Sequence, residues 1–156
     1  METAYFAAGC FWGIQQRFSS LNGVTSTRVG YMGGTLEKPD YKTVCSGKTG
    51  HTETVEVIYD ERTVNFFTLI SYFFEWHDPT QINRQGPDIG SQYRTAIFPT
   101  TVEQHNLATS KIIEINARSR GQAPVATKLE IAEKFWEAEE YHQNYLDKQG
   151  RGYSGL

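Results

Sequence analysis

At Gly9 the pattern of apolar residues changes period. Before it, Thr3-Ala-Tyr-Phe-Ala-Ala8 reads as a buried strand. After it, Ile14, Phe18 and Leu21 recur at the three-to-four-residue spacing of a helix face. A chain that turns this sharply from strand to helix must lay that helix back on a sheet. The turn is Gly9-Cys10-Phe11-Trp12-Gly13, so a cysteine stands at the start of the helix. Unpaired amides and the positive end of a helix dipole favour a thiolate there. Gly9 and Gly13 allow close approach, and Phe11 and Trp12 supply apolar surface beside the sulfur. A buried structural cysteine in a tight turn fits the same residues, and the stretch alone does not decide between the two.

The first helix is expected to end at Asn22-Gly23. Val24 to Tyr31 reads as a strand, and Met32 to Gly50 as a long irregular stretch containing Tyr41 and Cys45. A loop of that length inside a compact domain is usually functional or disordered, and its aromatics and few like charges argue for order. His51 to Asp60 alternates strictly. Thr52, Thr54, Glu56 and Ile58 share one face, and Glu53, Val55, Val57 and Tyr59 share the other. Glu53 is therefore either a carboxylate buried among apolar side chains or an edge residue pointing at solvent. Burial without a partner costs free energy or a proton.

Thr63 to Trp76 is apolar enough for a largely buried helix, capped by Asp60 or Thr63. Pro79 to Arg94 is a second long polar loop, holding Asp88 and Tyr93, and Thr95 to Phe98 is a short strand. Thr100 or Thr101 with Glu103 or Gln104 resembles a capping box for a helix running to Arg118. Pro124 to Ile131 reads as a last strand, and Glu133 to Gln149 as helical after an irregular start. Without a repeat or linker, residues 1–156 form one domain. The order is that of an α+β two-layer sandwich, a ferredoxin-like core with a mixed sheet, helices on one face and long loops at the site.

Composition narrows the function. Apolar residues make up 38% of the chain, with nine Tyr, nine Phe and three Trp, which argues for a packed core. The net charge of -3, without a basic stripe, gives no case for nucleic acid. No apolar run is long enough to span a membrane, and the N-terminus lacks the pattern of a signal peptide, so a cytoplasmic protein is expected. Two cysteines, Cys10 and Cys45, fit a reduced pair better than a secreted disulfide framework. A zinc site would have to use Cys10, Cys45, His51 and His77, whose spacing lacks a close cysteine pair. A thiol hydrolase would need His51, His77, His105 or His142 against Cys10. His142, beside Glu139 and Glu140, reads as part of a solvated or structural pair.

The segments Gly9-Cys-Phe-Trp-Gly13, Val29-Gly-Tyr-Met-Gly-Gly34 and Tyr41-Lys-Thr-Val-Cys-Ser-Gly-Lys-Thr-Gly-His51 resemble peptide methionine sulfoxide reductase A. So do His77-Asp-Pro-Thr-Gln81, Asn83-Arg-Gln-Gly86, Asp88-Ile-Gly-Ser-Gln-Tyr-Arg94 and Glu140-Tyr-His-Gln-Asn-Tyr145. The likeness runs in order along nearly the whole chain. It implies reduction of the S epimer of methionine sulfoxide, free or in proteins; a monomer without cofactor or metal is expected. By position, Cys10 matches the family's nucleophile and Glu53 the acid near the sulfoxide oxygen. Tyr41 and Tyr93 match the tyrosines that hold that oxygen, and Asp88 the aspartate of the same site. Phe11 and Trp12 match the pocket for the substrate methyl group. A catalytically silent peptide- or methionine-binding module on the same fold is the alternative, against which the retained Cys10, Glu53, Asp88 and Tyr93 argue.

Two departures stand out. Many relatives carry a recycling cysteine in a glycine-rich tail, often as Gly-Tyr-Cys-Gly, where this chain has Gly152-Tyr-Ser-Gly155. Ser154 cannot form a disulfide. Regeneration then falls to an external thiol (glutathione, glutaredoxin or thioredoxin), the expected route, or to Cys45 as a resolving residue. Gln15 stands where relatives commonly have Glu; if that Glu tunes the site, the Cys10 pKa here is expected to differ from theirs.

Overall fold

The structure is a computed structural model and describes residues 1–150. Its centre is a six-stranded sheet. In chain order the elements are β1 (Glu2–Ala8), α1 (Phe11–Ser19), β2 (Val24–Met32), α2 (Tyr41–Cys45), β3 (Thr52–Tyr59) and α3 (Phe66–Trp76). There follow a small hairpin, β4 (Arg84–Gln85) and β5 (Asp88–Ile89), then a 3-10 turn at Ser91–Tyr93 and β6 (Thr95–Phe98). The chain continues through α4 (Val102–Arg118), β7 (Lys128–Leu129), β8 (Trp136–Glu137), a 3-10 turn at Glu140–His142 and α5 (Tyr145–Lys148). The sheet order is β7-β6-β1-β3-β2-β8. The β6–β7 pair is parallel and its other pairs antiparallel, which makes the sheet mixed. The inner order β6-β1-β3-β2 is the ferredoxin-like split βαβ arrangement expected from the sequence.

Phe6 explains why the helices share one face. It points from β1 into the main core, with ring centroids 4.7 Å from Phe18 of α1 and 5.2 Å from Phe73 of α3. Val55, Val57 and Tyr59 of β3 bury into the same core, as the alternation predicted. The opposite face has a smaller cluster of Ala7, Met32, Ala96 and Phe98. It is covered by Ala132 and Phe135 of the irregular segment before β8, not by helices.

Several element boundaries differ from the sequence reading. The Asn65 side chain, not Asp60 or Thr63, caps α3 by accepting from the Thr68 amide at 2.9 Å. Asp60 is instead taken up by Arg62. The box at α4 joins Thr101 and Gln104: Thr101 Oγ1 accepts from the Gln104 amide, while Gln104 Oε1 reaches the Thr100 amide. The last strand shrinks to Lys128–Leu129, paired with Ala96–Ile97. The segment read as a C-terminal helix is mostly extended and 3-10 chain that adds β8 to the sheet edge. Both long loops are ordered, one by α2 and the other by the β4–β5 hairpin. The Ser154 position lies outside the described residues.

Candidate active site

Gly9 has φ +86, and a Cβ there would lie 2.7 Å from Gln85 Cβ, so only glycine lets the hairpin close over the turn. Gln85 ties the hairpin down. Its Oε1 accepts from the Asp78 amide at 2.9 Å and its Nε2 donates to the Asp78 carbonyl at 2.8 Å. Asp88 pairs with Gln85 across the hairpin and is thereby brought to the start of α1.

Cys10 is the N-cap residue of α1, without a side-chain capping hydrogen bond, and the Trp12 amide lies near enough to favour its thiolate. The next amide, that of Phe11, donates to Glu53 Oε1 at 3.2 Å. Glu53 sits on β3 opposite Tyr31 of β2 and is 2% exposed, which decides between the two readings of the sequence. Among the described residues it forms no ion pair. Burial pushes its carboxyl up to about 8, the Asp88 charge adds to that, and the Phe11 amide opposes it. At neutral pH Glu53 therefore holds a proton.

The expected thiolate is not what the structure supports. Burial pushes the Cys10 thiol up to about 12, with the charges of Glu53, Asp88 and Cys45 adding and only the Trp12 amide opposing. The helix start is present, but desolvation and neighbouring anions outweigh it. Cys10 rests as a thiol.

Tyr41 lies at the first turn of α2 and Cys45 at its end. The hydroxyls of Tyr41 and Tyr93 both lie beside the Cys45 sulfur and favour its thiolate, against the larger effect of burial. Gln92 Nε2 reaches the Cys45 carbonyl at 3.4 Å, joining the two long loops. Burial first, then the Cys45 sulfur at Tyr41 and the Glu53 charge at Tyr93, hold these hydroxyls protonated well above the usual tyrosine range. Cys10, Glu53, Tyr41, Cys45, Asp88 and Tyr93 thus converge from four separate stretches of the chain.

Phe11 is 1% exposed and packs beneath the turn, 5.2 Å from the His142 ring and 5.9 Å from Tyr31. Trp12 stacks on Tyr145 at 3.9 Å and donates from Nε1 to His142 Nδ1 at 2.9 Å. His142 is 1% exposed, not half of a solvated pair. Since Nδ1 accepts, the ring proton is on Nε2, and burial lowers its pKa. His142, Tyr145, Glu139 and Tyr31 are the neighbours that periodicity missed. The motifs Val29–Gly34 and Glu140–Tyr145 were the signal for Tyr31, His142 and Tyr145, and Glu139 stands just before the second.

His51 and His77 are structural. His51 accepts from the Gly34 amide at 3.0 Å and contacts the Leu36 carbonyl at 2.7 Å. His77 bridges the Phe73 carbonyl and the Thr95 hydroxyl, both at 2.7 Å, and burial lowers it to about 4. His105 lies exposed on α4. None is placed as a base for Cys10, and no group of three metal-type ligands occurs among the described residues. Gln15 is fully buried and is taken up by Thr27 and Asn144. Its Nε2 donates to Thr27 Oγ1 at 3.2 Å and its Oε1 accepts from the Asn144 amide at 2.8 Å.

A family model described as peptide methionine sulfoxide reductase matches residues 2–156. A peptide methionine sulfoxide reductase MsrA of Methanoculleus marisnigri is 49% identical over 152 residues, 97% of this chain and 93% of that one. The crystal structure of Mxr1 from Saccharomyces cerevisiae in reduced form matches with a TM-score of 0.86 at 36% identity, over 99% of this chain and 88% of that one. Mxr1 in complex with Trx2 matches with a TM-score of 0.61 at 24% identity, over 92% and 84%, a likeness of fold.

Proposed function

The chain belongs to the peptide methionine sulfoxide reductase family, and on that premise we propose how its residues divide the work. The enzyme reduces methionine-S-sulfoxide to methionine through catalytic cysteine chemistry. Cys10 attacks the sulfoxide sulfur. Glu53 gives its proton to the oxygen and takes up the one that Cys10 loses, so one proton passes from thiol to oxygen overall. Tyr41 and Tyr93 turn their hydroxyls from Cys45 to the oxygen as its charge develops, and Asp88 keeps Glu53 protonated. Trp12, backed by Phe11, walls the methyl group. The hydroxyl then passes to the Cys10 sulfur: the substrate's sulfur–oxygen bond and the new sulfur–sulfur bond break, a sulfur–oxygen bond forms on Cys10, methionine leaves, and Cys10 is left as a sulfenic acid, two electrons poorer.

The observation that carries this reading is Glu53 itself: a buried carboxyl raised to about 8, one residue's reach from the only cysteine at a helix start. An external thiol then attacks the sulfenic acid, water leaves, and a second thiol frees Cys10. The Trx2 complex of Mxr1 supports a thioredoxin-type donor, and glutaredoxin with glutathione offers the same chemistry. A cytoplasmic monomer acting on free or protein-bound sulfoxide completes the proposal. Cys45 as resolving thiol is a second reading, favoured by its place between the two tyrosine hydroxyls and within electrostatic reach of Cys10.

One turnover without reductant, in the presence of dimedone, tests these readings by intact mass. A dimedone adduct on Cys10 is the expected outcome. Loss of two hydrogens within one chain points to a Cys10–Cys45 disulfide instead. Neither product, after methionine has formed, overturns the role of Cys10.

A further inference from the structure

The helix that brings Tyr41 and Cys45 to the site is too short to hold itself. α2 has five residues, far below the length at which a helix is stable alone. Asp40 and Thr43 close its first turn on themselves: Asp40 Oδ1 accepts from the Thr43 amide at 2.8 Å, and Thr43 Oγ1 accepts from the Asp40 amide at 3.0 Å. That box caps the helix without tying it to the rest of the molecule. Val44 is buried in the core, and Gln92 offers a long contact to the Cys45 carbonyl. The strong tie comes from the far end of the chain. Glu139 Oε2 accepts from the Tyr41 amide at 2.9 Å, and its Oε1 accepts from the Tyr31 hydroxyl at 2.8 Å.

Both donors need that carboxylate. The Tyr41 amide is in the first turn of α2, where backbone N–H groups have no partner within the helix. Tyr31 is 0% exposed and sits opposite Glu53 in the sheet. Glu139 itself comes from a fixed segment. The Ala138 amide donates to the Val29 carbonyl at 2.9 Å, and the Gln143 side chain bonds both the amide and the carbonyl of Val29 at 2.9 Å. The carboxylate is therefore a rigid bracket between β2 and α2. Burial opposes its charge, but the Tyr41 amide, its own amide and the Tyr31 hydroxyl prevail and hold its pKa below the usual range.

We propose that Glu139 is a positioning residue that clamps the start of α2 to β2 and so sets the Tyr41 hydroxyl in the oxygen pocket. This rests on the reading of Tyr41 as a group that binds the sulfoxide oxygen. Glu139 touches neither substrate nor Cys10. Its effect on the reaction passes through Tyr41.

A double-mutant cycle tests this. The variants Glu139→Ala, Tyr41→Phe and the pair are compared in dithiothreitol-driven reduction of a peptide S-sulfoxide, with thermal unfolding measured alongside. Glu139→Ala is expected to lower kcat/KM about tenfold in the parent enzyme and by less than about twofold once the Tyr41 hydroxyl is gone, the non-additivity of groups acting as a unit. Glu139→Asp keeps the charge but shortens the reach, and is expected to show the same pattern at lower amplitude. It carries the test if the alanine variant does not fold. Equal fold losses in both backgrounds would overturn the role of Glu139 while leaving that of Tyr41 intact. An unchanged kcat/KM in Tyr41→Phe alone would overturn the oxygen-pocket reading, and this inference with it.

Discussion

Glu53 and Glu56 leave the same strand by opposite faces, and each is almost wholly withdrawn from solvent, at 2% and 5% exposure. Glu56 is fully partnered. Arg28 grips it with Nε at 2.7 Å and Nη2 at 2.9 Å, and the Tyr5 hydroxyl adds a bond at 3.0 Å. Glu53 has a single amide at 3.2 Å and the Asp88 charge nearby. A buried carboxylate without a counter-ion costs more than a bound proton, so Glu53 takes the proton. Burial is common to both residues, and the partner decides whether it yields a structural anchor or a proton donor. The far face, with its arginine, supports the fold, while the near face leaves the acid unpaired beside a cysteine.

The sharpest break of this comparison is Glu53→Gln. Loss of a positioned general acid is expected to slow the chemical step by about 10²- to 10⁴-fold. Substrate affinity should change far less, because the amide keeps the hydrogen-bonding shape. Single-turnover rates as a function of substrate concentration separate the two. An undiminished chemical step would demote Glu53 to the structural standing of Glu56.

The next effect is on stability, and its sign follows from the direction of the shift. The Glu53 carboxyl moves from 4.5 up to about 8 on folding, so between those values the folded chain holds more protons than the unfolded one. Stability is therefore lost as pH rises through that window, by at most about 1.4 kcal/mol per pH unit. Glu53→Gln lacks this loss, so the variant should gain on the parent between about pH 5 and about pH 8, by a few kcal/mol at the upper end. His77 works the other way. It falls from 6.5 to about 4 on folding, so it removes stability as pH drops through that range. His77 is common to both proteins and cancels in the difference. Urea unfolding at several pH values reads it, and a pH-independent difference would mean that Glu53 is ionised in the folded enzyme.

The contrast between the two carboxylates was half legible in the sequence. The alternation of β3 placed Glu53 on the apolar face with Val55, Val57 and Tyr59, and Glu56 on the other. It could not show that Arg28 waits opposite Glu56 and nothing cationic opposite Glu53, because strand register joins residues 28 apart. The ferredoxin-like core was readable because its helices and strands, apart from the four-residue β6, are long enough to show a period. α2 has five residues, and β4, β5 and β8 have two each, with no period of their own. They are held by side-chain-to-backbone bonds between distant segments, such as Gln143 to Val29 across 114 residues. The thiolate expected at Cys10 failed for the same reason. A helix start is visible locally, whereas the burial and the acidic neighbours that overrule it are products of the fold.

The smallest expected effect sits on the far face and is one of stability alone. In Glu56→Gln the amide can accept from one Arg28 nitrogen but turns a donor toward the other, or toward the Tyr5 hydroxyl. Arg28 would not be stranded, since its side chain is 47% exposed and Glu137 still meets it at 2.8 Å. Its guanidinium also lies 5.3 Å from the centre of the Phe135 ring. The cost is therefore that of one mismatched hydrogen bond in a partly solvated pair, about 1–3 kcal/mol, and not the larger penalty of an abandoned buried charge. Chemical denaturation should show that loss, with kcat/KM for the peptide sulfoxide unchanged within about twofold, since the site lies across the sheet. A fall in kcat/KM comparable to that of Glu53→Gln would mean that the two faces of β3 are coupled, and that the partner is not what separates an anchor from an acid.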